Sequence, residues 1–190
     1  MVIIMMVSIG VSNRHVHLTK KTYEKLFGTT QIENIKDLKQ PGQYATNSFV
    51  TIKTDKDSIE KVRVLGPFRD YNQVEISKTD AYKLGLNPPV RESGDLKNSE
   101  AITIVGPNSE VYLEEGCIIA NRHIHILPEQ ITEYKLNGKD TVMVKLNGEK
   151  GGILTNVSLK VSDKSYFELH LDTDDANAHL VKNGDIGEIL

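Results

Sequence analysis

One hexapeptide occurs twice in this chain. Ser12-Asn13-Arg14-His15-Val16-His17 returns as Ala120-Asn121-Arg122-His123-Ile124-His125. Asn, Arg and both histidines are identical, and Val is matched by Ile. The chain holds six histidines, and four of them fall in these two segments. A rare residue repeated at the same offsets marks a duplicated supersecondary unit, so the fold has to be assembled from two related halves.

The surroundings of the two copies agree. Each follows an apolar, strand-like run, residues 7–11 and 117–119, and each precedes a short helix. The first helix is expected to be capped at Thr19 and to stop at Gly28. The second is expected to start at Pro128 and to end near Gly138. A weaker correspondence lies downstream, where Glu75-Ile76-Ser77-Lys78-Thr79-Asp80-Ala81 can be laid against His170-Leu171-Asp172-Thr173-Asp174-Asp175-Ala176. In both, a strand runs into a short helix: residues 79–84, closed by Gly85, and residues 173–181, closed near Gly184.

Most of the remainder is β-prone. Residues 49–54, 59–65, 101–105, 110–113, 141–146, 152–161 and 166–171 are rich in Val, Ile, Thr and Tyr. Gly, Asn and Asp clusters separate them, and Asn147-Gly148 is a hairpin turn signal. Residues 88–98 are polar and contain two prolines, so they read as a loop. The pattern predicts a mainly β protein: two small β-barrel domains related by the internal repeat and capped by short α-helices. The halves are expected at 1–114 and 115–190, with the joint near 108–116.

The histidine spacing carries chemistry. On a strand, residues i and i+2 point to the same face, so His15 with His17, and His123 with His125, can each reach one metal ion. His-x-His on a strand is a common source of two nitrogen ligands for zinc. A catalytic metal usually takes three protein ligands and keeps one position open. The downstream repeat offers the third donor at equivalent positions, Glu75 for the first pair and His170 for the second. An isolated His-x-His can equally be a polar strand face or a pair of satisfied core histidines; two copies inside a repeat favour ligation. His179 has no counterpart and reads as a helix-surface histidine.

Bulk properties narrow the partners. The net charge of −3 gives no sequence-independent grip on nucleic acid, so a phosphate-bearing substrate needs a local basic patch. The single cysteine, Cys117, excludes an internal disulfide framework and a thiolate zinc site. It reads as a small buried hydrophobe, and a reducing, cytoplasmic setting is expected. Residues 1–7 are apolar but short, with no basic start and no small-residue cleavage site. They read as the first strand and not as a signal or membrane span.

Several segments together resemble the phosphate propanoyltransferase family. They are Ser12-Asn13-Arg14-His15-Val16-His17-Leu18, Leu65-Gly66-Pro67-Phe68-Arg69, Gln73-Val74-Glu75-Ile76-Ser77, Asn121-Arg122-His123-Ile124-His125, and His170 through Ala178. They occur in order from about residue 7 to the C-terminus. The resemblance implies two β-barrel domains with the active site between them and two Zn(2+) ions. His15, His17 and Glu75 would hold one zinc, with an open position facing the coenzyme A sulfur. His123, His125 and His170 would hold the other. Arg69 matches the phosphate-binding arginine, and it is the implied catalytic residue. Val11, Ser12, Asn13, Arg63 and Asn177 match coenzyme A contacts, joined by Lys56 in a more loosely aligned loop. Asp175 stands where the family pattern often has Glu.

The implied reaction is a phosphotransacylation: propanoyl-CoA or acetyl-CoA plus phosphate gives acyl phosphate plus coenzyme A, reversibly, as in propanediol degradation. Acyl-CoA, coenzyme A, phosphate and acyl phosphate are the expected partners, without nucleic acid or membrane; a homo-oligomer is compatible. Family members packaged in bacterial microcompartments carry an amphipathic N-terminal extension. Only eleven residues precede Ser12 here and they read as strand, so a free cytoplasmic enzyme is expected, and packaging through a partner stays open. Two other readings suit the same ligands. One is a dinuclear zinc hydrolase acting on a thioester or phosphoester. The other is a non-catalytic metal-binding module, its fourth ligand drawn from Asp172, Asp174 or Asp175.

Overall fold

The structure, a computed structural model, describes residues 5–190. Strand β1 spans Met5–Ser12; the start of the expected first strand, residues 1–4, lies outside the described residues. Two compact units emerge, one of residues 13–120 and one of residues 5–12 with 121–190.

The first unit contains β2 (His15–His17), α1 (Lys20–Phe27), β3 (Asn34–Asp37), β4 (Tyr44–Lys53), β5 (Ser58–Gly66), β6 (Gln73–Glu75), α2 (Lys78–Leu84), β7 (Val90–Arg91), β8 (Glu100–Val105) and β9 (Glu110–Ala120). Strands β4, β5, β2, β6 and β9 are successive neighbours, and β8 pairs with both β4 and β9. These six therefore close into a barrel, with β3 appended at β4 and β7 at β9. Alternate residues point inward, so Val50, Ile52, Val62, Val64, Ile102 and Ile104 fill the core. Tyr23 and Leu26 of α1 and Ala81 and Leu84 of α2 are buried in the same core.

Local chemistry sets the helix ends. The Thr19 side chain accepts from the Thr22 amide and caps α1, and Gly28 closes it in the left-handed region at φ 72. Ser77 caps α2 in the same way, so this helix begins at Lys78, one residue ahead of the expected Thr79.

The second unit contains β1, β10 (His123–Ile126), α3 (Pro128–Glu133), β11 (Thr141–Leu146), β12 (Gly152–Val161), β13 (Glu168–Asp172), α4 (Thr173–His179) and β14 (Ile186–Ile189). Its strands close in the order β1-β13-β10-β12-β11-β14. Val7, Ile9, Ile124, Ile126, Val144, Leu169 and Leu171 form its core. Helices α3 and α4 end sooner than the glycines at 138 and 184 suggest. Lys135 (φ 55) and Leu180 (φ 53) already adopt left-handed backbone and turn the chain out of each helix.

The repeat holds at the level of strand pairing. β2 is parallel to β5 and antiparallel to β6; β10 is parallel to β12 and antiparallel to β13. β9 lies parallel to β6, and β1 lies parallel to β13. β1 thus fills, in the second barrel, the place that β9 fills in the first. The strand that leads into each repeated hexapeptide is consequently hydrogen-bonded in one unit and the hexapeptide itself in the other. The expected division at 114/115 followed chain order and differs from this grouping. The expected joint near 108–116 falls largely within β9, which runs unbroken from Glu110 to Ala120 and pairs with β8 between Glu110 and Cys117. No helix among the described residues is long and apolar enough to cross a membrane.

Candidate metal centres

In the first unit Val16 is buried in the core, so His15 and His17 share the opposite face of β2. Antiparallel register sets His15 across from Glu75 and His17 across from Gln73. His15 Nε2 lies 3.4 Å from Glu75 Oε2, and His17 Nε2 lies 4.0 Å from Glu75 Oε1. The two imidazoles meet edge to face with centroids 5.0 Å apart. His15 Nδ1 donates to the Asn13 carbonyl at 2.9 Å, which leaves Nε2 as its lone-pair nitrogen. Burial, the largest influence, acts to lower the His15 pKa, but the Glu75 carboxylate and the Asn13 carbonyl together outweigh it and the net shift is upward.

Gln73 is a member of this site that sequence reasoning missed. It is fully buried. Its Nε2 donates to Glu75 Oε1 at 2.6 Å and to Ser93 Oγ at 2.8 Å, while its Oε1 accepts from the Gly94 amide at 2.7 Å. The signal available was its position two residues before Glu75, on the same strand face.

In the second unit β10 sets His123 across from His170 and His125 across from Glu168. His123 Nδ1 donates to the Asn121 carbonyl at 2.8 Å, repeating the His15 arrangement. The Nε2 atoms of His123 and His125 stand 3.1 Å apart. The His170 ring lies 5.2 Å from that of His123 and 4.7 Å from that of His125, centroid to centroid. Burial, helped by His123, His170 and Lys160, pushes the His125 pKa down to about 2. A neutral imidazole is the form that ligates metal.

Both expected triads are therefore assembled. In each, the donor atoms of His15, His17 and Glu75, or of His123, His125 and His170, lie within 4.8 Å of one another. Two nitrogens with a carboxylate, and three nitrogens, are donor sets that suit zinc. The lone pairs converging at the His123–His125 contact fit a cation in their midst. Three protein donors leave coordination positions open. Two of the three aspartates considered as a fourth ligand are engaged elsewhere: Asp172 caps α4 by accepting from the Asp175 amide at 2.8 Å, and Asp175 pairs with Arg122 at 3.2 Å.

The other candidate residues distribute as follows. Arg69 follows β5, its amide bonded to the Leu18 carbonyl at 3.0 Å. Its charge is felt at His15, where it opposes protonation. Its Nε is buried and has no hydrogen-bond partner among the described residues. Arg63 lies across from His15 in the β2–β5 register, stacks on Phe49 at 4.4 Å and donates to the Thr46 carbonyl. Lys56 donates to the Tyr82 carbonyl at 3.1 Å, near the end of α2. Asn13 is exposed at the turn into β2. In the second unit, Val11 and Ser12 pair with Leu171 and Asp172, next to the start of α4, which carries the exposed Asn177. His179 contacts the Lys150 carbonyl at 3.0 Å, at the end of α4.

Comparisons with known proteins agree with one another. Residues 8–182 match the family model described as phosphate propanoyltransferase. A phosphate propanoyltransferase of Thermotoga maritima is 47% identical over 184 residues, 96% of this chain and 88% of the relative. One from Priestia megaterium is 50% identical over 182 residues, covering 95% and 84%. One from Salmonella typhimurium is 44% identical over 173 residues, covering 90% and 82%.

Proposed function

The chain belongs to the phosphate propanoyltransferase family, and from that premise we propose that it exchanges a short acyl group between coenzyme A and inorganic phosphate. Acyl-CoA and phosphate give acyl phosphate and coenzyme A, and the reverse. The observation that carries the reading is the buried, unpartnered Nε of Arg69, on a side chain whose charge reaches His15 of the His15-His17-Glu75 cluster. A guanidinium held that way is prepared for an oxyanion that brings its own acceptors.

Two zinc ions, one on His15, His17 and Glu75 and one on His123, His125 and His170, would supply Lewis acidity toward the thioester carbonyl and affinity for the departing thiolate. The chain's own residues do the rest. Arg69 grips phosphate through its fork of N–H donors and orients one oxygen for attack. Phosphate is itself the nucleophile, so no side chain need be acylated. Burial pushes the Cys117 thiol up to about 12, and this core residue is unsuited to attack. Val11, Ser12, Asn13, Lys56, Arg63 and Asn177 are the proposed coenzyme A contacts. Propanoyl and acetyl differ by one methylene, so a preference between them of about 10- to 200-fold is the ceiling for a simple pocket.

The test follows coenzyme A release from propanoyl-CoA with and without phosphate, trapping acyl phosphate as its hydroxamate. Phosphate-dependent release with trapped product supports the reading. Release that ignores phosphate and yields free acid assigns the chain to thioester hydrolysis instead.

A further inference from the structure

The three-histidine cluster rests on a carboxylate that no sequence motif announces. Glu168 is only 3% exposed, and its Oε2 lies 3.1 Å from His170 Nε2. An ionised carboxylate buried to that degree is costly unless its charge and lone pairs are met. Its place in the repeat is informative. Glu168 stands two residues before His170 and across from His125; Gln73 stands two residues before Glu75 and across from His17. In both barrels, then, the side chain at this position holds the third donor, Gln73 by a bond to Glu75 and Glu168 by a contact to His170.

The order of charge is reversed between the barrels. The first carries a neutral amide beside a carboxylate donor; the second carries a carboxylate beside an imidazole donor. A divalent ion on two histidines and Glu75 would keep one net positive charge. The same ion on three neutral histidines would keep two, and Glu168 brings the total back to one. Chain geometry makes room for this. Gly10 lies beside His170 on β1, and a Cβ there would come within 2.7 Å of Glu168 Oε2 and 3.1 Å of His170 Cδ2. Ile118, a residue with a full side chain, occupies the matching position beside Glu75.

We propose that Glu168 is a positioning residue of the His123-His125-His170 centre, orienting His170 and supplying the negative charge that Glu75 provides at the other centre. Gly10 is the residue that leaves it space. This rests on the reading that the three-histidine cluster holds a metal. A carboxylate behind a ligand imidazole typically strengthens metal binding about 10- to 100-fold.

The experiment titrates the full-length protein, stripped of metal, with zinc and with cobalt(II) against a chromophoric chelator. Wild type takes up two equivalents and His123→Ala one; failure of either result removes the metal reading and this inference together. Given both, Glu168→Gln, which keeps size and removes charge, weakens one equivalent about 10- to 100-fold. It also alters the cobalt absorption bands of that equivalent and leaves the other unchanged, which a general loss of stability would not do. Gly10→Ala changes none of the three ligands; its Cβ presses on Glu168 Oε2 at 2.7 Å and, less closely, on His170 Cδ2 at 3.1 Å, so it displaces the carboxylate and the ring it orients and weakens the same equivalent; it carries the test if Glu168→Gln does not fold. Wild-type affinities and cobalt spectra in the folded variants overturn the role of Glu168 and leave the centre itself standing.

Discussion

Arg14 donates from Nε to Asp80 Oδ2 at 2.7 Å, tying the residue before His15 to the first turn of α2. Arg122 reaches Asp175 in the first turn of α4 at 3.2 Å, the same connection in the other unit. The arginine of each repeated hexapeptide is thus a latch between the strand that carries the histidine pair and the helix that follows the third member of the triad. Asp175, noted in the sequence as a departure from Glu, keeps the acidic partner this latch needs.

The two latches differ in burial, and that sets their worth. The Asp80 side chain is 7% exposed, whereas Asp175 is 26% exposed. Arg14→Met strands a buried carboxylate and should cost about 2–3 kcal/mol, discounted because Arg14 itself is a third exposed. Arg122→Met should cost about 1 kcal/mol or less, since water can replace the partner. Urea unfolding of the metal-free variants measures both; equal losses would contradict the assignment.

Gln73→Met keeps bulk and removes the bond to Glu75. Zinc affinity at the first centre should fall about 10-fold. The Gly94 amide also loses its acceptor, so stability should fall by about 1–3 kcal/mol. Chelator competition and thermal unfolding report the two effects separately.

Arg69→Ala should raise the KM for phosphate about 10- to 100-fold, the equivalent of about 1.5–3 kcal/mol for a charge-assisted hydrogen bond. The KM for propanoyl-CoA should change little. Arg69→Lys keeps the charge without the fork and should recover only part of the loss. Steady-state kinetics with each substrate varied in turn check this; a larger effect on the acyl-CoA side would refute the phosphate role.

Cys117 has no exposed surface, and its pKa is raised to about 12 by burial and by Glu100. Native protein should resist iodoacetamide at pH 8.5 and react promptly in denaturant. Above about pH 9 the unfolded chain releases this proton and the folded chain retains it, so Cys117 makes stability fall as pH rises through that range. Alkylation followed by intact mass and urea unfolding between pH 8 and 10 test both statements.

The strand face that gathers each triad was legible because strand period and repeat spacing are both local. His15, His17, His123 and His125 alternate with core residues, and Glu75 and His170 sit at one repeat position. For Gln73 and Glu168 the strand period gave the face but not the role, since a Gln or Glu on a strand usually means a solvated face; cross-strand register is what sets them against the triads. The helix caps at Thr19 and Gly28 could be read from residue chemistry alone. The barrel to which β1 and β9 belong could not, because apolar strands carry no label for their partners and long-range pairing decides. β3, with an exposed pattern, β7, two residues long after two prolines, and β14, broken by Gly187, lacked the apolar alternation that reveals a strand.

The most direct measurement couples metal content to turnover in one sample. Protein stripped by chelation is assayed for phosphate-dependent coenzyme A release, then assayed again as zinc is returned stepwise. The account predicts negligible release without metal and full recovery as two equivalents bind. Undiminished phosphorolysis in protein shown by elemental analysis to hold no metal would contradict it.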